Sequence, residues 1–123
     1  MPVAVVTGAG SGIGRAVTQR LIFEGYYVFL AGRNEKTLLE TLATLNHHQE
    51  RASVLVTDVT QEESVQSLFR RVEEMHGRID LLFNNAGIGS FASEIDSIQL
   101  ENWNQVVAVN LTGVLLCSRE AFR

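Results

Sequence analysis

Cysteine and proline are almost missing from this sequence: Cys117 and Pro2 are the only ones among 123 residues. A lone cysteine forms no internal disulfide, and a zinc cluster would need other ligands. His47, His48 and His76 are not spaced around Cys117 in any ligand pattern. No metal site is therefore expected, and a reducing, cytoplasmic compartment is. No apolar run reaches membrane-spanning length. The N-terminus has no basic stretch followed by an apolar one, so no signal peptide is expected. Positive charge is also scarce, with 10 Lys and Arg against 14 Asp and Glu and a net charge of −4. The basic residues are scattered, which argues against nucleic acid or an anionic membrane as partner. Repeats and low-complexity stretches are absent. What remains is ordinary for a folded chain, 46% hydrophobic and 20% charged, and one domain over residues 1–123 is long enough to bury a core.

Short apolar runs alternate with longer helical periods. Val3 to Thr7 is a β-branched run that meets a glycine cluster at once. Ile13 to Glu24 has helical spacing through Ile13, Val17 and Leu21, and Gly25 is a natural residue to end it. Tyr27 to Ala31 reads as a second strand, and Asn34 can cap a helix carrying Leu38, Leu39, Leu42 and Leu45. Ala52 to Val56 is the third strand. Thr60 with Glu63 has capping-box spacing ahead of a helix that presents Val65, Leu68, Phe69, Val72 and Met75 and ends at Gly77. Near the end of that helix, His76 can complement the dipole. Ile79 to Asn84 is apolar enough for a strand buried on both faces. A loop of roughly 12 to 15 residues follows, long enough to carry function, and from about Leu100 the chain is helical to its end. The alternation calls for an α/β fold with a doubly wound parallel sheet in the order 3-2-1-4.

The first strand runs straight into Thr7-Gly8-Ala9-Gly10-Ser11-Gly12-Ile13-Gly14, with Gly-x3-Gly-x-Gly spacing. Gly8 permits a tight turn out of the strand, and Gly12 lets backbone approach a pyrophosphate. Gly14 lets the next helix pack closely on the sheet. Free N–H groups and the dipole at that helix's N-terminus would face the phosphates. Gly-rich turns also occur for geometry alone; the position of this one, between strand one and helix one, favours a dinucleotide.

Three further segments add to the turn: Asp58-Val59 after the third strand, Asn84-Asn85-Ala86-Gly87 at the end of the fourth, and Asn110-Leu111-Thr112-Gly113 in the last helix, preceded by Glu101-Asn102-Trp103. In this order and spacing they resemble the short-chain dehydrogenase/reductase family over essentially the whole chain. The resemblance implies a Rossmann-type fold and cofactor contacts from Thr7, Gly8, Ser11, Gly12, Ile13 and Gly14. It implies that Asp58 accepts from the adenine amino group beside the Val59 backbone; the other reading of Asp58 is a strand-end turn residue. Asn85, Ala86 and Gly87 would line the nicotinamide-ribose side, with Asn84 tying neighbouring strands together. Asn110 would be the catalytic asparagine, holding a water in a proton relay; its alternative is an asparagine facing solvent. Gly32 stands where a carboxylate would select NAD, and Arg33 follows. A guanidinium there can pair with a 2′-phosphate, which favours NADP over the alternative NAD. Against that, the turn position Ser11 is not basic, and Arg33 also fits as a solvated loop charge.

The family's catalytic serine and its Tyr-x-x-x-Lys motif would lie beyond the helix bearing Asn110, and the chain stops at Arg123. Tyr26 and Tyr27 have no lysine four residues on. The expectation is a fragment of an oxidoreductase acting on an alcohol or ketone, inactive alone; the alternative is a non-catalytic dinucleotide-binding or assembly module. A homo-oligomer through helix 100–122 is expected, aided by the apolar edge Leu81, Leu82 and Phe83. Trp103, Phe122 and Cys117 read as core or interface, and His47 and His48 as solvated loop positions.

Overall fold

The computed structural model describes residues 1–88 and 95–123. Strand β1 (Val3–Thr7) is buried at every position, because it lies inside a sheet of order β3-β2-β1-β4. Its neighbours are β2 (Tyr27–Gly32) on one side and β4 (Leu81–Phe83) on the other, while β3 (Ala52–Val56) forms the far edge beyond β2. Every pairing is parallel, with Val5 opposite Phe29 and Leu82. Side chains alternate across the sheet. Ala4, Val6, Val28 and Leu30 pack with Leu21 and Ile22 of helix α1 (Gly12–Phe23) and Leu38 of α2 (Glu35–Ala43). Val3, Val5, Phe29 and Ala31 face the other way, onto Leu68 and Val72 of α3 (Glu62–His76). A third cluster joins Val65 of α3 to Val109, Leu116 and Cys117 of the C-terminal helical segment.

That segment comprises α4 (Leu100–Val107), a π-helical stretch (Ala108–Thr112) and α5 (Gly113–Phe122). The expected strand order and the start of the last helix at Leu100 both hold. Asn34 caps α2 as its chemistry suggests, its side chain accepting from the Thr37 N–H at 3.3 Å.

Several expectations are corrected. The capping box at Thr60 does not form. The Thr60 hydroxyl and N–H both donate to Asp58 Oδ1, at 2.6 and 3.0 Å, and Gln61 takes the N-cap position. The nearby carboxylate takes the Thr60 hydroxyl and N–H as donors and turns the side chain away from the helix N–H groups, and α3 begins one residue later. The fourth strand is shorter than Ile79 to Asn84 and only partly buried. At its start the Asp80 carboxylate accepts from the Val3 N–H (2.8 Å) and from Arg78 (2.6 and 2.8 Å). At its end the Asn85 N–H returns to Phe83 O. Among the described residues the Asn84 amide donates to Ser118 Oγ at 3.2 Å, linking β4 to α5 rather than to a neighbouring strand. Ile13, Leu39 and Met75 lie on exposed faces rather than in the core. His76 sits in the last turn of α3, where its ring packs on Tyr27, with centroids 4.2 Å apart. Cys117 is a core residue, its thiol pushed up to about 11 by burial, whereas Trp103 and Phe122 are exposed. Part of the long loop after β4, residues 89–94, lies outside the described residues.

Candidate functional site

The carboxyl ends of β1 and β4 are sewn together by one side chain. Thr7 is 1% exposed. Its hydroxyl accepts the Asn85 N–H at 3.0 Å and the Ala86 N–H at 2.9 Å, and lies 3.4 Å from Phe83 O as donor. The Asn85 amide reaches back to Gly8 O at 3.1 Å. Gly8 has φ +65, and a Cβ there would come within 3.0 Å of the Ala86 backbone, so the turn and the segment after β4 are in close approach. Gly14 is packed closer still, since a Cβ would overlap Gly8 O and approach Asn85 Nδ2. Gly12, with φ +51, has open space where a Cβ would stand. Turn, strand ends and the first turn of α1 thus form one rigid rim where the strand order reverses, the place where parallel α/β sheets bind ligands.

Beside the rim is a cleft of about 330 Å³. Of the expected cofactor residues, Gly8, Ser11, Arg33, Val59, Ala86 and Gly87 line it. Thr7, Gly14 and Asn85 stand behind the lining and hold it in place, while Ile13 is 68% exposed at the start of α1. Gly10, Gly32, Asn34 and Thr37 also line the cleft. In the sequence Asn34 shows only as a helix cap and Thr37 does not stand out; their place in the cleft lining follows from α2 starting close after the end of β2. Arg33 is the one ionisable side chain among the described lining residues, so the cleft is equipped to bind an anion rather than to move protons.

Asp58 lies at the end of β3 near Arg33. Burial pushes its carboxyl up, but the hydrogen bonds from Thr60 and the Arg33 charge outweigh this and hold it below the ordinary carboxylate value. Its backbone N–H is taken by Ser64 Oγ at 2.8 Å. Asn110 falls in the π-helical stretch, a feature its sequence did not announce. The amide does not simply face solvent: Oδ1 accepts the Ile88 N–H at 2.9 Å and Nδ2 donates to Ile88 O at 3.0 Å. Gly113, a turn later, fits against Val59. The π-helical stretch and the residue after it therefore contact both the segment after β4 and the segment after β3.

Glycine cradle, reversal of strand order and cleft together define a nucleotide-binding fold of the Rossmann type. A model of the short chain dehydrogenase family matches residues 2–123, and the chain belongs to the short-chain dehydrogenase/reductase family. It is 35% identical over 118 residues to a 3beta-hydroxysteroid dehydrogenase of Mediterraneibacter gnavus, covering 96% of this chain and 43% of that protein. A point variant of actinorhodin polyketide ketoreductase solved with NADPH superposes with a TM-score of 0.93 at 36% identity, over 99% of this chain and 46% of that one. A 3-ketoacyl-(acyl-carrier-protein) reductase from Brucella melitensis, complexed with NADH, gives 0.89 at 28% identity, over 97% and 48%. The chain spans about half the length of the curated relatives it matches. No helix among the described residues is long and apolar enough to cross a membrane.

Proposed function

We propose that residues 1–123 are the nucleotide-binding half of an NADP(H)-dependent oxidoreductase that interconverts an alcohol and a ketone. The observation that carries this reading is the chemistry at the end of β2. Gly32 puts no carboxylate against a ribose 2′-position, and Arg33 lines the same cleft as the glycine turn. When bound, a nicotinamide dinucleotide supplies hydride donor and acceptor chemistry at its ring. The glycine turn and the N-terminus of α1 offer N–H donors to the pyrophosphate, and the Ser11 hydroxyl adds an O–H donor. Arg33 pairs with the 2′-phosphate. Asp58, kept ionised by Thr60, accepts from the adenine amino group beside Val59. Asn85, Ala86 and Gly87 face the nicotinamide ribose, and Asn110 holds the segment through Ile88 while orienting a water for proton transfer. The Tyr-x-x-x-Lys pair that the family resemblance implies for proton transfer does not occur among residues 1–123, and these residues by themselves are inactive.

The NADPH and NADH carried by the two structural neighbours support a nicotinamide dinucleotide and leave the choice to Arg33. Titration with NADPH and NADH, read by nicotinamide fluorescence, tests it. Tighter NADPH binding supports the reading; equal or tighter NADH binding assigns the site to NAD.

The alternative, a dinucleotide-binding or assembly module, is favoured by a different observation. Leu100, Trp103, Leu111, Leu115 and Phe122 are all exposed along the C-terminal helical segment, and the outer edge of β4 pairs with no described strand. We assign this surface to homo-oligomerisation through residues 100–122. A monodisperse monomer in light scattering at micromolar concentration rules that out.

A further inference from the structure

The glycine turn is held not only by Thr7 and Asn85 in front but also from behind, by two residues outside the turn's cofactor-facing motif. Thr41 of α2 is fully buried, and its hydroxyl donates to Ala9 O at 2.7 Å. Arg15 of α1 donates from Nη2 to Gly10 O at 2.6 Å and from Nε to Thr41 Oγ1 at 2.9 Å. Glu40 lies 3.6 Å from the same guanidinium. One threonine and one arginine thus occupy two successive peptide carbonyls of the turn and each other. The turn also rests on α2 through Gly10, where a Cβ would run into Thr37.

In a trans peptide the C=O and N–H point in opposite directions. Fixing Ala9 O fixes the Gly10 N–H, and fixing Gly10 O fixes the Ser11 N–H. Those are backbone donors of the two turn residues that line the cleft alongside Gly8. Donation from a guanidinium to Gly10 O also polarises the peptide and strengthens the Ser11 N–H as a donor. Thr41 has no reason of its own to be a threonine: a buried helix position would pack as well with valine, and a hydroxyl is retained at a cost unless it is bonded.

We propose that Arg15 and Thr41 are positioning residues for the cofactor's pyrophosphate, a brace behind the glycine turn that pre-aims its N–H groups before ligand arrives. This rests on the dinucleotide reading above. It assigns them to the pyrophosphate alone, because the adenine-ribose end is held by Arg33, Asp58 and Val59, none of which the brace touches.

Thr41→Val, Thr41→Ser and Arg15→Met are compared with the parent for NADPH and for 2′-AMP, which lacks the pyrophosphate (NADH and adenosine are used should the parent prefer NADH). Thr41→Val and Arg15→Met each weaken NADPH roughly tenfold, the loss of one buried hydrogen bond's worth of ordering. Binding of 2′-AMP stays close to the parent value, and Thr41→Ser, which keeps the hydroxyl, restores NADPH. Equal weakening of both ligands would mean only a loosened fold and overturns the brace, as does unchanged NADPH binding. Arg15 is part-exposed (31%), so its variant carries the comparison if the buried Thr41→Val chain fails to fold. A parent that binds neither dinucleotide sinks the cofactor reading and the brace together; a parent that binds, with variants that bind equally well, sinks the brace alone.

Discussion

Replacing Thr7 by valine exchanges one hydroxyl for a methyl in a site that is 1% exposed. The damage follows from which donors lose an acceptor. The Asn85 N–H keeps a second acceptor, Phe83 O at 3.0 Å, so its loss is partial. The Ala86 N–H has no second acceptor among the described residues, its bond being the one it donates to Thr7 at 2.9 Å. An orphaned donor costs about 1–3 kcal/mol and a weakened one a fraction of that, giving roughly 2–3 kcal/mol for Thr7→Val. With an unfolding entropy of about 2 cal/mol/K per residue, that lowers the melting temperature by roughly 8–12 °C. Thr7→Ser keeps the hydroxyl and loses only a buried methyl, about 1 kcal/mol. Urea titration of the two variants reads both values, and their order decides the matter. If packing governed this position, valine would be the milder change. Finding serine worse than valine refutes the hydrogen-bond account of the rim.

Three further outcomes follow from the same geometry. Arg33→Asp should weaken NADPH by roughly ten- to hundredfold relative to NADH, the worth of a charge-assisted hydrogen bond, in parallel titrations of the two cofactors. Asn110→Ala frees both backbone groups of Ile88; because the site is exposed, the stability loss is only about 1 kcal/mol, but amide exchange at Ile88 accelerates, which hydrogen-exchange mass spectrometry or NMR detects. Asp80 is held below its ordinary value of 3.8 by hydrogen bonds from Arg78 and the Val3 N–H. A depressed carboxylate stabilises the fold above its unfolded value and loses that contribution as pH falls through the folded one. Stability should therefore decline on acidification below about pH 4, and Asp80→Asn should flatten that decline in acid titrations of the melting temperature.

What was legible in the sequence is what depends on near neighbours. Alternating Ala4, Val6 and Val3, Val5 announce a two-faced buried strand, and Asn34 ahead of Glu35 announces its own cap. The motif residues lining the cleft were legible for the same reason: Gly8 and Arg33 each follow directly from a strand end, and Ser11 stands immediately ahead of α1. The rest was set by distant or competing partners. Nothing near Thr7 reveals that its hydroxyl serves Asn85, 78 residues away. Thr60 has the spacing of a helix cap, yet Asp58 two residues earlier claims it. The π-helical stretch at Ala108–Thr112 leaves the apolar period nearly intact, so its effect on Asn110 emerges only when Ile88 is in place. Arg15 and Thr41 read as ordinary helix positions, because their partners are carbonyl groups and carry no residue code.

The pairing of β1 with β4 has a bearing on how the chain reaches this state. Neighbouring strands β1 and β2 are joined by a short crossover, whereas the rim bond from Asn85 to Thr7 closes a span of 78 residues. Closing a loop roughly three times longer costs about 1 kcal/mol more in chain entropy. That contact returns little until the glycine turn is already seated. The cleft, which needs the contact between β1 and the segment after β4, therefore carries a larger closure cost than the pairing of β1 with β2. Any ligand that recognises only the finished rim would offset that cost by mass action, because it binds the closed arrangement and not the open one.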